Sequence, residues 1–155
     1  MSERAPKSPP SNPSASPADT SVTSEVLDRW IARAREVQRQ AHAPYSSFHV
    51  GALLVDEAGE VYAGCNVENV SFGATICAER NALGAAVAAG ARRFRALVVV
   101  ADSDAWTYPC GICRQSLLEF GEALDVFCVR ADGAVTQTTL AELLPHAFAP
   151  RMLAR

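Results

Sequence analysis

The sequence predicts an α/β fold: a three-layer α/β/α sandwich around one mixed five-stranded sheet. Two runs, 96–101 and 124–130, are apolar almost throughout, the pattern of strands covered on both faces. Segments with helical spacing separate these runs from each other and from a β-prone pair nearer the N-terminus. Glycine and proline fall at the joins, as they do where strands and helices alternate within one domain.

Each element follows from a local signal. Val26, Leu27, Trp30, Ile31, Ala34 and Val37 recur at three- and four-residue spacing and predict an amphipathic helix over 24–40, ended by Ala43-Pro44. The runs 48–56 and 61–66 predict a hairpin whose connection, 57–60, holds its glycine at Gly59. Alanine-rich 77–89 predicts a buried helix, closed by Gly90 as its C-terminal cap. A shorter helix is expected over 111–120, stopping at Gly121. After the strand 124–130, Asp132-Gly133 marks a turn, 134–137 a short edge strand and 139–144 a closing helix ended by Pro145.

The chain of 155 residues has room for one domain whose core needs no disulfides. We assign it to 23–150, with a disordered tail over 1–22 and a short C-terminal tail over 151–155. The first segment is rich in Pro, Ser and Ala, buries too little to offset ordering entropy, and lacks the apolar stretch of a signal peptide. A formal net charge of −3 argues against nucleic acid or an anionic membrane as partner. The basic cluster Arg92-Arg93-x-Arg95 reads as a solvated helix-to-strand connection. No apolar run reaches the length of a membrane span.

Chemistry concentrates at Cys77-Ala78-Glu79 and Pro109-Cys110-Gly111-Ile112-Cys113. The Cys110/Cys113 spacing is a familiar half-site for zinc, and Cys77 adds a third thiol. Zinc held by three protein ligands keeps an open position, the catalytic arrangement, whereas a structural site is closed. Both motifs start predicted helices, where backbone N–H groups and the helix dipole favour thiolate. Glu79 supplies a carboxylate that can move protons without binding metal. Three thiolates overcompensate Zn²⁺, so Arg80 is a candidate to donate to the sulfurs; a surface ion pair is its plainer alternative. Cys65 and Cys128 lie in apolar runs as small buried hydrophobes. Free ligand thiols imply a reducing, cytoplasmic setting. His49 is a half-buried strand residue rather than a fourth ligand.

At these residues the sequence resembles the small, homotetrameric class of cytidine deaminases, over most of 26–150. Cys77-Ala78-Glu79 and Pro109-Cys110-Gly111-Ile112-Cys113-Arg114-Gln115 look like the two zinc motifs of the family. Tyr45-Ser46-Ser47-Phe48-His49-Val50-Gly51-Ala52 is similar to its first-strand motif and Gly64-Cys65-Asn66-Val67-Glu68-Asn69 to its nucleoside-binding strand. Glu142-Leu143-Leu144-Pro145 with Phe148-Ala149-Pro150 is similar to its C-terminal signature. The resemblance implies one Zn²⁺ per subunit on Cys77, Cys110 and Cys113, with Glu79 as proton shuttle. It implies that Asn66 and Glu68 bind the ribose 3′-hydroxyl, that Phe48 packs on the pyrimidine, and that the Ala78 N–H binds the base carbonyl. Phe148 would reach a neighbouring subunit's site.

Three positions depart from the family pattern. Phe72 stands where a ribose-contacting tyrosine is usual, Tyr108 replaces a small residue, and His49 a frequent proline. The activity implied is hydrolytic deamination of cytidine and deoxycytidine in pyrimidine salvage. Rival readings are a deaminase of another aminopyrimidine nucleoside such as blasticidin S, a polynucleotide deaminase, which needs a basic groove, and a non-catalytic zinc-stabilised interaction module, which needs a closed metal site.

Overall fold

The structure, a computed structural model, describes residues 22–149 and 152–153. Five strands and four helices follow one another as α1 (Ser24–Gln38), β1 (Val50–Asp56), β2 (Val61–Cys65), α2 (Ala78–Ala88), β3 (Phe94–Ala101), α3 (Gly111–Leu118), β4 (Asp125–Val129), β5 (Val135–Thr139) and α4 (Leu140–Leu143). The sheet order is β2-β1-β3-β4-β5. Only the β3–β4 pair is parallel, so the sheet is mixed as expected, with β5 on an edge.

Burial on both faces explains the unbroken apolar runs. Along β3, Ala96, Val98 and Val100 face α1 with Leu53, Val55 and Phe127, while Leu97 and Val99 face the other way with Ala52, Leu54 and Val126. Trp30 and Ala34 of α1 fill the first layer; Ala82 and Ala86 of α2 and Leu117 of α3 fill the second. Successive strand side chains alternate between faces, so a strand that serves two cores must be apolar at every position.

Two glycines set how closely the helices approach. A Cβ on Gly51 would lie 2.2 Å from the Ala34 carbonyl of α1, and one on Gly64 would lie 2.3 Å from the Ala82 nitrogen of α2. Backbone fills both spaces, so neither glycine admits a side chain without moving a helix.

Element boundaries shift in ways with local causes. The strand expected from residue 48 begins at Val50, because the Asn66 carboxamide takes over the pairing: Val50 donates to Asn66 Oδ1 (2.8 Å) and Asn66 Nδ2 donates to the Phe48 carbonyl (2.8 Å). Thr139 is the N-cap of α4, locked by a reciprocal capping box with Glu142. The tail expected over 1–22 lies outside the described residues except for Val22, which packs half-buried against the α1 layer. Of the tail expected over 151–155, Met152 and Leu153 are described and exposed. Among the described residues no helix is long and apolar enough to cross a membrane.

Candidate active site

The sheet brings the two cysteine motifs together by seating two helix N-termini side by side. Cys77 is the N-cap of α2 and Cys110 the N-cap of α3, both with extended backbone, and Cys113 is in the first turn of α3. The Cys77 and Cys110 sulfurs are 3.7 Å apart and those of Cys110 and Cys113 3.4 Å apart; all three lie within 4.8 Å of one another. Tetrahedral zinc with Zn–S bonds of about 2.3 Å separates its sulfurs by about 3.8 Å, so this triangle fits that ion. Among the described residues the group holds three cysteines and no fourth donor, the ligand count of a catalytic site with one open position.

The electrostatics favour one thiolate, that of Cys77, with Cys113 held as its thiol donor. Cys77 is drawn down to about 5, chiefly because it accepts from the Cys113 thiol, with Arg80 and Cys110 adding to the effect. Cys113 is pushed up, first by that same hydrogen bond to Cys77 and then by burial and the Glu79 charge. Arg80 is half-buried; burial alone would weaken its charge, but the neighbouring Cys77 and Cys113 sulfurs outweigh that. It also donates to the Thr75 carbonyl at 3.0 Å, while its buried Nε has no partner. Its side chain thus lies between the thiol group and the Thr75 carbonyl.

Glu79 is 5% exposed, and its carboxyl is pushed up to about 7, above all by burial and further by the Cys77 charge. A buried carboxyl that titrates near neutrality beside a metal-binding group suits proton transfer in either direction. Ala78 is fully buried, and as the first residue of α2 its N–H is one of the donors a helix leaves unpaired.

Asn66 and Glu68 lie beyond the end of β2, on either side of Val67, which makes isolated bridges to His42 and Ile76. This corrects their expected placement within a strand. Glu68 is also occupied in a way that motif spacing does not reveal: it accepts from the Tyr45 N–H (2.8 Å), the Ser46 N–H (3.3 Å) and, very closely, the Ser46 hydroxyl. The Ser46 hydroxyl in turn accepts from the Phe48 N–H at 3.0 Å, across Ser47 at φ 56°. The carboxylate arm and the aromatic arm are thus one connected turn. Sequence reasoning quoted Tyr45 and Ser46 but gave them no role.

Phe48 is exposed rather than part of the sheet core, as are Phe72 and Phe148. Phe72 meets Tyr45 edge-on with ring centroids 5.8 Å apart. Outside the thiol group, Cys128 is fully buried and pushed up to about 12 by burial, while Cys65 is half-buried. His49 is half-buried just before β1, and its carbonyl accepts from Gln38.

Residues 24–129 match the family model described as the cytidine and deoxycytidylate deaminase zinc-binding region. The chain belongs to that family. A protein named cytidine deaminase from Sporosarcina psychrophila is 45% identical over 123 residues, 79% of this chain and 90% of the relative. One named probable cytidine deaminase from Dictyostelium discoideum is 42% identical over 128 residues, covering 82% and 86%. The solved cytidine deaminase of Burkholderia pseudomallei superposes with a TM-score of 0.75 at 45% identity, over 78% of this chain and 98% of that one. That of Mycobacterium tuberculosis gives 0.70 at 40% identity, over 79% and 97%. Membership makes this chain a zinc-dependent hydrolase, and Cys77, Cys110 and Cys113 are the group able to hold its one ion.

Proposed function

We propose that this protein hydrolyses cytidine and deoxycytidine to uridine and deoxyuridine, releasing ammonia. The observation that carries this reading is the buried Glu79 carboxyl, two residues from Cys77 and beside three converging thiols. Zinc, when bound by Cys77, Cys110 and Cys113, supplies an acidified water and a positive charge opposite the developing negative one. Glu79 takes the proton from the attacking water, places it on the ring nitrogen next to C4, and serves the departing amine in the same way. One water enters at C4 and one ammonia leaves. Arg80 offsets the excess charge of the thiolates from its place beside Cys77 and Cys113.

The remaining contacts orient the nucleoside. The Ala78 N–H binds the base carbonyl, and the Phe48 ring covers the pyrimidine. Asn66 uses one N–H and one lone pair within the protein, and a carboxamide has a second of each to offer the ribose 3′-hydroxyl. Glu68, held ionised first by the Ser46 hydroxyl, shares that contact.

Tyr45, Phe48, Phe72 and Phe148 are exposed, with Tyr45 and Phe72 in edge-on contact, and exposed apolar surface of this kind is commonly covered by a partner. We assign that cover to further copies of this chain in a homotetramer, with Phe148 reaching a neighbour's site. The acidic charge fits a free nucleoside better than a polynucleotide or a membrane surface. Pyrimidine salvage in the cytoplasm follows from the free thiols and the substrate. Loss of ultraviolet absorbance with cytidine and deoxycytidine, at one zinc per chain, is the expected result. Silence with both nucleosides at full zinc would reject the reading.

A further inference from the structure

The first turn of α3 does more than present two thiols. Arg114, next to Cys113, bends its guanidinium back over the turn. Nε donates to the Pro109 carbonyl at 2.6 Å, and Nη1 donates to the Leu143 carbonyl of α4 at 2.8 Å. The following residue, Gln115, donates from Nε2 to the Phe148 carbonyl at 2.8 Å. Pro109 is fully buried and directly precedes Cys110, so its carbonyl orientation sets the entry of the chain into the thiol group. Two neighbouring side chains therefore tie the ligand turn to the C-terminal segment at two separate points, 29 and 33 residues away in sequence.

We infer that Arg114 is a positioning residue for the metal group and Gln115 a positioning residue for the Phe148 segment. The chemistry separates their roles. Two carbonyls at an angle need the rigid, forked guanidinium; a lysine keeps the charge but offers a single ammonium that cannot serve both in that geometry. Cys110 is exposed, so burial does not hold it in place; its carbonyl accepts from the Arg114 N–H at 2.9 Å, and the Arg114 side chain fixes the Pro109 carbonyl just before it. The Gln115 carboxamide donates to the Phe148 carbonyl rather than to Pro109 or α4. Breaking its bond should release the aromatic segment while the sulfur triangle stays intact.

The zinc half of this inference stands on the metal group alone, while its kinetic half rests on the deaminase reading. The test uses the full zinc-loaded chain with Arg114→Lys and Gln115→Ala. Zinc release to a chromogenic chelator is measured beside steady-state kinetics on cytidine. Arg114→Lys should release zinc about tenfold faster than the native chain, at the low end of what loss of a supporting contact costs in metal affinity. Gln115→Ala should release zinc at the native rate and raise KM about threefold to tenfold, the worth of one hydrogen bond, with kcat close to native. Arg114→Gln, which keeps one amide donor for the Pro109 carbonyl, should fall between native and Arg114→Lys in zinc release.

Zinc release from Arg114→Lys at the native rate would overturn the role of Arg114. Equal release from both single variants would overturn the division of labour. Failure of both Arg114 variants to fold would assign that residue to stability and likewise overturn its role. Absence of activity in the native chain would reject the deaminase reading and leave the zinc-release comparison standing.

Discussion

At the end of the sheet formed by Val50, Cys65, Ala101 and Val129, the C-terminal end of α1 lies on one face and the N-terminal end of α2 on the other. Each helix approaches over a glycine, Gly51 or Gly64. Beneath α1 the polar groups satisfy one another. Gln38 donates to the His49 carbonyl and to Asp102, and accepts from Arg35, which also donates to the Ala101 and Arg130 carbonyls. Where the starts of α2 and α3 meet, the polar groups stay open to a ligand: three thiols that pair with one another, a buried carboxyl pushed up to about 7, and a buried Arg80 Nε without a partner. Satisfied buried groups rigidify a fold, whereas groups left open are retained for a ligand or for chemistry. Packing alone looks alike on the two faces; the difference lies in which polar groups have their partners inside the protein.

The comparison breaks most sharply at the metal group. Cys113→Ser, or removal of zinc by a chelator, should abolish turnover and lower the melting temperature, because thiolate ligands couple metal binding to folding. Activity and zinc content measured together check this; native activity without zinc would place the chemistry elsewhere.

The glycine pair gives the next largest effect and the cleanest contrast. Gly51→Ala and Gly64→Ala each force backbone apart, and each should cost about 1–3 kcal/mol of stability, as overpacking does. Thermal melts should show similar losses for the two. Only Gly64→Ala should lower kcat under conditions where both are fully folded, because it displaces the helix that carries Cys77 and Glu79. Equal loss of kcat in both would mean that the two faces are not functionally distinct.

Ser46→Ala sharpens the account further. It removes the hydroxyl that joins Glu68 to the Phe48 N–H, so KM for cytidine should rise about tenfold to a hundredfold, in line with one hydrogen bond to a charged group. The zinc content should not change. A fall in kcat with KM unchanged would show that this turn acts on the chemical step instead.

Much of this arrangement was legible before the fold was seen. Cys77, Glu79 and the Cys110/Cys113 pair stand out because ligand spacing is local and the helix starts are signalled by neighbouring residues. β3 and β4 and their burial followed from apolar runs, since a strand between two layers has no polar face to disguise it, while β1, β2 and β5 followed from β-prone segments beside glycine turns. Partners distant in sequence were not legible. Glu68 reaching back 22 and 23 residues to Ser46 and Tyr45, Arg114 reaching forward to Leu143, and Gly64 under Ala82 depend on how the elements are stacked. From its place in a β-prone run alone, Phe48 reads as ordinary sheet core; the structure leaves it exposed. Only the side-chain pairing of Asn66 with the backbone, which delays the start of β1, shows why that ring stays outside.

The most direct test of the account is Glu79→Gln, assayed with cytidine at matched zinc content. The amide keeps size and hydrogen-bonding ability but cannot shuttle a proton. Zinc per chain and melting temperature should remain native while kcat falls by about 10²–10⁴-fold, the range for loss of a general acid–base group. A near-native kcat in a zinc-loaded, folded variant would contradict the central claim that this buried carboxyl moves the proton.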